Sequence, residues 1–398
     1  MLGAAPSLAD HLANHPAALD GLLTPEEKPD PSRLLRGRLH DARLLEDVIE
    51  MTRRTVREED FAISVATMEG RIDADEAGLR RSALADAALH ALLAPVLADF
   101  SQRFGRVRGG AIAVVALGKA GSREMMAGSD LDLMLIYDHP PEVNESRGKR
   151  RMAASEWFVR AAHSYIAAVT ARGADGPLYE VDMRLRPSGN KGPVAVSLSS
   201  FERYHAEAAW TWERMALTRA RVVAGPPALR GRVEAAIAAA LAQAGEPGRI
   251  RADAASMRAR MLRDLPPDGP WDVKLRPGGQ IEVEFVAQVL QLIHARTAPS
   301  LCSTTTRTAL ARLAQAGELA AEDAALLIRA DHVWRTVQGM LRITVGRGPQ
   351  EVLPQASAQA LLRALGMAVD TEALHATLDD LARQVRAAFV RSIGGPRP

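Results

Sequence analysis

Two aspartates stand one residue apart at the head of an apolar run, Asp130 and Asp132 in "GSDLDLMLIYD" (128–138). On a strand, residues i and i+2 face the same way, so both carboxylates leave one face. Side by side without a counter-charge they repel and resist burial. Divalent cations remove both costs. Mg²⁺ takes hard oxygen ligands, usually one or two carboxylates, and completes its shell with water and phosphate oxygens. Two such ions roughly 3.5–4 Å apart can clamp the attacking and leaving oxygens of an in-line displacement. The pair therefore points to metal-assisted chemistry at a phosphate.

Such a pair needs elements to aim it. Residues 111–117, "AIAVVAL", form a short apolar run bounded by glycines and read as a buried strand. Gly118, then Gly121 with Ser122, follow it and open a short helical segment. Backbone N–H groups in such a turn can approach phosphate with no Cβ in the way. Lys119 and Arg123 flank the turn, placed either for phosphate or for solvent. Residues 130–137 read as a second strand. "LYEVDMRLRP" (178–187) alternates strictly and reads as a third, with Glu180, Asp182, Arg184 and Arg186 on one face. Asp182 would either complete the metal site or take a proton from a nucleophile. Arg184 and Arg186 would balance phosphate charge, or simply pair with Asp182.

The rest of the 398 residues is mostly helical in pattern. Residues 1–24 read as an amphipathic helix and "TPEEKPDPS" (24–32) as a stiff linker. Helical spacing fills about 33–100, returns after Gly225, and persists through 326–341 and 374–389. "PPDGP" (266–270) and "RPGG" (276–279) punctuate it. Net charge is +2, so the balance demands neither nucleic acid nor a membrane surface. No apolar run is read as a membrane span. Cys302 is the sole cysteine, which excludes an internal disulfide and a cysteine metal cluster. The first residues carry no basic leader, and the expectation is a cytoplasmic protein.

The combination of strand, glycine turn, D-x-D strand and third acidic strand resembles the nucleotidyltransferase fold shared with DNA polymerase β. It is most similar to the glutamine synthetase adenylyltransferase family, through "GKAGSREMMAGSDLDL" (118–133), "YEVDMRLRPSGNKG" (179–192), "EAAWTWERMALTRARVV" (207–223) and "DVKLRPGGQIEVEFVAQ" (272–288). The resemblance implies an α+β chain: an inter-half helix and linker (1–32), a nucleotidyltransferase domain (33–235, with its mixed sheet at about 105–225) and an all-α bundle (240–398). It implies Asp130, Asp132 and Asp182 as catalytic metal ligands, with Gly118, Gly121, Ser122, Arg184 and Arg186 on the nucleotide. It implies Mg²⁺, ATP as donor and a tyrosine hydroxyl of glutamine synthetase as acceptor. Glutamine and the PII signalling protein would be regulators, in the service of nitrogen assimilation. The "RPSG" and "AWTWE" forms resemble the adenylylating half. The alternatives are the adenylyl-removing half, acting by phosphorolysis, or a docking module without catalysis.

Several residues carry plainer expectations. Asp73 and Asp75 lack a strand and glycine turn, and read as a solvated pair. Trp210 and Trp212 are expected as core anchors rather than adenine stackers. Glu213, Arg219 and Arg221 fit an internal ion-pair network as well as they fit triphosphate. In "PGGQIEVEF" (277–285), Gln280 and Glu282 replace the family's usual Ile and Asp.

Overall fold

The computed structural model describes residues 2–16, 30–148, 150–173, 176–348 and 351–394. The expected first helix is seen as a 3₁₀ turn (Leu2–Ala4) and α1 (Pro6–Asn14), which is capped at His15; residues 17–29, with the rest of that expected helix and most of the linker, lie outside the described residues. α2 (Pro31–Arg38) starts where the Asp30 carboxylate accepts from Ser32 N and Arg33 N, with Pro31 supplying a preset φ at the first turn. α3 (Leu45–Met68) and α4 (Ala74–Phe104) are the long helices of the lead-in. By length and composition α4 could cross a membrane, but half of its most apolar window is buried inside the protein.

The sheet begins with β1 (Ala111–Ala116). A single helical turn, α5 (Gly118–Gly121), leads to β2 (Leu131–Asp138). Next come α6 (Ala154–Val169), a small ribbon of β3 (Arg172–Gly173) and β4 (Gly176–Pro177), then β5 (Val181–Asp182) and β6 (Ala195–Ser197). α7 (Leu198–Glu207), α8 (Thr211–Leu217) and β7 (Arg221–Ala224) complete the core. β1 lies antiparallel between β2 and β7, and β2 takes β5 and β6 as parallel partners at its two ends.

The described residues continue with helices α9 (Pro227–Ala242), α10 (Pro247–Asp264), α11 (Gln280–His294), α12 (Thr306–Gln315), α13 (Ala321–Thr344) and α14 (Gln355–Leu365). α15 (Thr371–Ser392) is the last described helix.

Strand parity divides the core. Ile112, Val114, Leu131, Leu133 and Leu135 pack with α2, α4 and α6 on one face of the sheet. Ala113, Val115, Met134 and Ile136 belong to a second core that runs without interruption into the C-terminal helices as far as Ile393. Asp130 and Asp132 share the parity of Met134 and Ile136. They therefore emerge at the open end of the face that the helical bundle covers.

Candidate functional site

The register of β2 and β5 brings distant carboxylates together. Asp132 pairs with Asp182 and Leu131 with Val181, and Leu131 N donates to Glu180 O at 2.9 Å. Cross-strand partners on one face are neighbours, and Asp130 stands one i−2 step along from Asp132. The electrostatics record this crowding. Burial, then repulsion from Asp182 and Asp130, pushes the Asp132 carboxyl up to about 6, and Lys274 and Arg219 offset it only in part. Asp182 moves the other way, because the Arg184 guanidinium bonds both its oxygens (Nε at 3.0 and 2.8 Å) and holds it below the usual range.

The glycine turn is shaped around Asp132. Gly118 has φ +51°, and a Cβ on it would fall on the Asp132 carboxylate. Gly121 is equally constrained, since a Cβ there would strike the carbonyls of Arg219 and Ala116. The amides of Gly121 and Ser122 are engaged within the turn, on Leu117 O and Gly118 O at 2.8 and 3.1 Å. The Ser122 side chain is fully buried, its hydroxyl donating to Lys119 O at 3.3 Å. Arg221 braces the turn from β7, bonding Ala120 O and Gly121 O while pairing with Asp86 of α4. Burial, partly offset by Glu284, lowers the Lys119 ammonium to about 7.

The third strand is shorter than its alternation predicts. Only Val181 and Asp182 pair in a sheet. The backbone then turns because the Arg184 N–H bonds the Asp182 carboxylate at 2.8 Å instead of a strand neighbour. Arg186 does not share a strand face with Asp182. Its buried guanidinium gathers the carbonyls of Met183, Gly192 and Pro193 and closes the loop that follows. Arg184 stays at the site and largely exposed, on Asp182 itself.

The bundle supplies cations that the spacing does not reveal. Arg347, just beyond α13, pairs with Asp130 at 2.6 Å and with Glu180 at 3.3 Å. Lys274, in the loop before α11, adds a favourable charge interaction to Asp132. That loop lies in the quoted "DVKLRPGG" stretch, which is the one sequence signal that could have flagged it. Arg219 meets Glu284 at 3.2 Å and Thr306 Oγ1 at 2.9 Å, and Arg335 of α13 meets Glu124 at 3.2 Å. Burial raises Glu284, but Arg219 and Lys119 outweigh it and hold its carboxyl below the usual range. Arg219 and Arg221 thus serve internal ion pairs, whereas Glu213 accepts hydrogen bonds from the uncharged Tyr204 Oη and Trp210 N.

Glu282 has a clear place. Fully buried, it accepts from Arg258 at 2.9 Å, Arg386 at 3.0 Å and Gly278 N at 2.9 Å, clasping the "RPGG" turn to α10 and α15. Gln280, also buried, donates to Asp331 at 2.8 Å.

Two expectations are corrected. Trp210 and Trp212 are not core anchors: they are 69% and 37% exposed, because α8 turns Met215 and Leu217 inward instead. Asp73 and Asp75 differ from each other. Asp73 caps α4 through Asp75 N and Glu76 N, whereas Asp75 is drawn into ion pairs with Arg307, His332 and Arg335.

Comparison with known proteins places the chain in a family. The family model for glutamate-ammonia ligase adenylyltransferase matches residues 1–236, and that for GlnD PII-uridylyltransferase matches residues 254–392. A protein of Rhodopseudomonas palustris (strain ATCC BAA-98 / CGA009) described as bifunctional glutamine synthetase adenylyltransferase/adenylyl-removing enzyme is 38% identical over 99% of this chain and 40% of its own length. A relative of the same description from Mesorhizobium japonicum is 42% identical over 79% of this chain and 32% of its own length. One from Bradyrhizobium sp. (strain BTAi1 / ATCC BAA-1182) is 37% identical over 98% and 40%. The chain thus spans about 40% of the length of these relatives. With a family model covering more than half of it, the chain belongs to the glutamate-ammonia ligase adenylyltransferase family.

Proposed function

We propose that this chain transfers AMP from ATP to a tyrosine hydroxyl of glutamine synthetase, on a polymerase β-like nucleotidyltransferase core. The observation that carries the reading is the register that sets Asp182 beside Asp132, with Asp130 on the same face. The residues fit Mg²⁺ on their own chemistry. All three donors are carboxylates, and their mutual repulsion at Asp132 is the strain that a bound cation relieves. Bound there, Mg²⁺ would neutralise phosphate charge and lower the pKa of the attacking hydroxyl.

The chain's own groups do the positioning. Asp130, Asp132 and Asp182 would hold the metal and fix the α-phosphate in line with the acceptor. Gly118 keeps space for the Asp132 carboxylate. Arg184 orients Asp182 and is exposed enough to reach a phosphate oxygen. Lys274 and Arg347 bring positive charge to the edge where pyrophosphate would leave. The adenylylating direction is supported by the "RPSG" and "AWTWE" forms. PII and glutamine are the regulators that the family resemblance implies.

The test is incubation with unmodified glutamine synthetase, Mg²⁺ and ATP labelled at the α-phosphate. Label on a tyrosine supports the reading. ADP formed from adenylylated glutamine synthetase and phosphate, with no label transferred, would assign the chain to adenylyl removal instead.

A further inference from the structure

Asp130, Asp132, Glu180 and Asp182 crowd the edge where β2 meets β5. Asp132 pairs with Asp182 and Leu131 with Val181, and Asp130 and Glu180 stand one residue ahead of that second pair. Arg184 and Arg347 answer these carboxylates in different ways. Arg184 is two residues from Asp182 and belongs to its turn, through both its backbone N–H and its guanidinium. Arg347 comes from beyond the end of α13 and bridges Asp130 at 2.6 Å and Glu180 at 3.3 Å.

This bridge is poorly suited to holding the fold together. All three side chains are about half exposed or more, and ion pairs that open to water contribute little stability. The backbone is fastened without it. Arg342, in the last turn of α13, donates to Ala127 O at 3.3 Å and Ser129 Oγ at 3.4 Å. The helix then stops at Gly346, with φ +85°, whose N–H returns to Leu341 O at 3.1 Å. Arg347 is thus a long side chain on a fixed mount. It lines one cavity together with Gly128, Ser129 and Glu180, and even a Cβ on Gly128 would stay 3.7 Å from its Nε. The guanidinium therefore has room to leave Asp130 while keeping Glu180.

Where it rests matters chemically. On Asp130 it engages a carboxylate oxygen that a metal ligand must offer, and it sets positive charge where a divalent cation would bind. A triphosphate offers anionic oxygens that match the arginine fork and compete for it. Glu180 is not one of the three carboxylates assigned to the metal, so it can retain the guanidinium when Asp130 gives it up.

We propose that Arg347 makes metal binding conditional on nucleotide: without nucleotide it occupies Asp130, and a bound triphosphate draws it off and frees that carboxylate. Arg347 is in this sense a positioning residue. The proposal rests on the metal role given above to Asp130.

Two binding measurements on the whole chain, with no acceptor protein present, test it. Electron paramagnetic resonance counts Mn²⁺, a stand-in for Mg²⁺, bound in the absence of nucleotide. Calorimetry in chelator follows α,β-methylene-ATP bound in the absence of metal. Arg347→Gln should bind Mn²⁺ about tenfold more tightly than the unmodified chain, and the nucleotide analogue about fivefold more weakly. A variant damaged in its fold would lose both affinities, so changes of opposite sign are the signature. Arg347→Lys keeps the charge without the fork and should fall between the two chains in both measurements. Unchanged or weaker Mn²⁺ binding by Arg347→Gln overturns the proposal, as does unchanged affinity for the analogue. Equal Mn²⁺ binding by both chains leaves AMP transfer standing. No Mn²⁺ bound by either chain strikes the carboxylate site itself, and this proposal with it.

Discussion

Gly118 and Asp132 constrain one another. The glycine adopts a left-handed φ of +51° and offers no side chain where the Asp132 carboxylate lies. Gly118→Ala would cost about 1 kcal/mol in backbone strain and would also push the carboxylate aside. The variant should fold, lose a few degrees of Tm, and lose most of its transfer activity; full activity would mean that the position of Asp132 does not matter. His332 gives a pH signature of a different kind. Its hydrogen bond to Asp75 raises the imidazole above its ordinary value. The protonated form is thus favoured in the folded state. Its stabilisation is fully present below the unfolded pKa and is lost as pH rises through the raised one. His332→Gln should therefore lower Tm at pH 5.5 and have little effect at pH 9. A loss of Tm that is the same at both would contradict the ion pair. Parity along β2 was enough to read the shared face of Asp130 and Asp132 from the chain. The cations that act on those carboxylates were not readable in this way, because Arg347 pairs with Asp130 and Lys274 adds its charge to Asp132 only through tertiary packing. The exposure of Trp210 was missed for a related reason, since large apolar residues do not declare which face of a short helix is covered.

At the scale of elements, β5 shows where periodicity misleads. Residues 178–187 alternate as a strand should, yet only two of them pair, because the Asp182 carboxylate captures the Arg184 amide and Arg186 recruits loop carbonyls. β7 was missed because its four residues follow a helical stretch and borrow their strand character from β1. The long helices were legible, α4 and α13 above all, because their apolar spacing extends over many turns. The clasp around Glu282 was not, since its partners lie on three separate elements. Glu282→Gln leaves Arg258 and Arg386 facing an uncharged amide in a buried site. Breaking a buried pair of this kind costs about 3–5 kcal/mol. Denaturant unfolding should show that loss with an unchanged m-value. A loss below about 1 kcal/mol would mean that water or a neighbouring carboxylate takes over. Glu282→Asp restores the charge but is one methylene shorter, and should recover part of the stability.

For the molecule as a whole, the sheet and the C-terminal helices share one apolar core, from Ala113 to Ile393. Glu124, Arg219, Glu284 and Arg335 fasten the two parts with buried charges. Parts joined by so much buried surface are expected to unfold together. Calorimetry should therefore give one transition for the described body; two resolved transitions would show that the bundle and the sheet core are separable. This continuity also explains how a bundle arginine comes to stand on Asp130. The most direct test of the central claim is AMP transfer to glutamine synthetase by Asp182→Asn beside the unmodified chain, at saturating Mg²⁺ and ATP. The shared carboxylate site predicts intact folding and a loss of rate on the order of 10²–10³ or more. Transfer at the unmodified rate would contradict it.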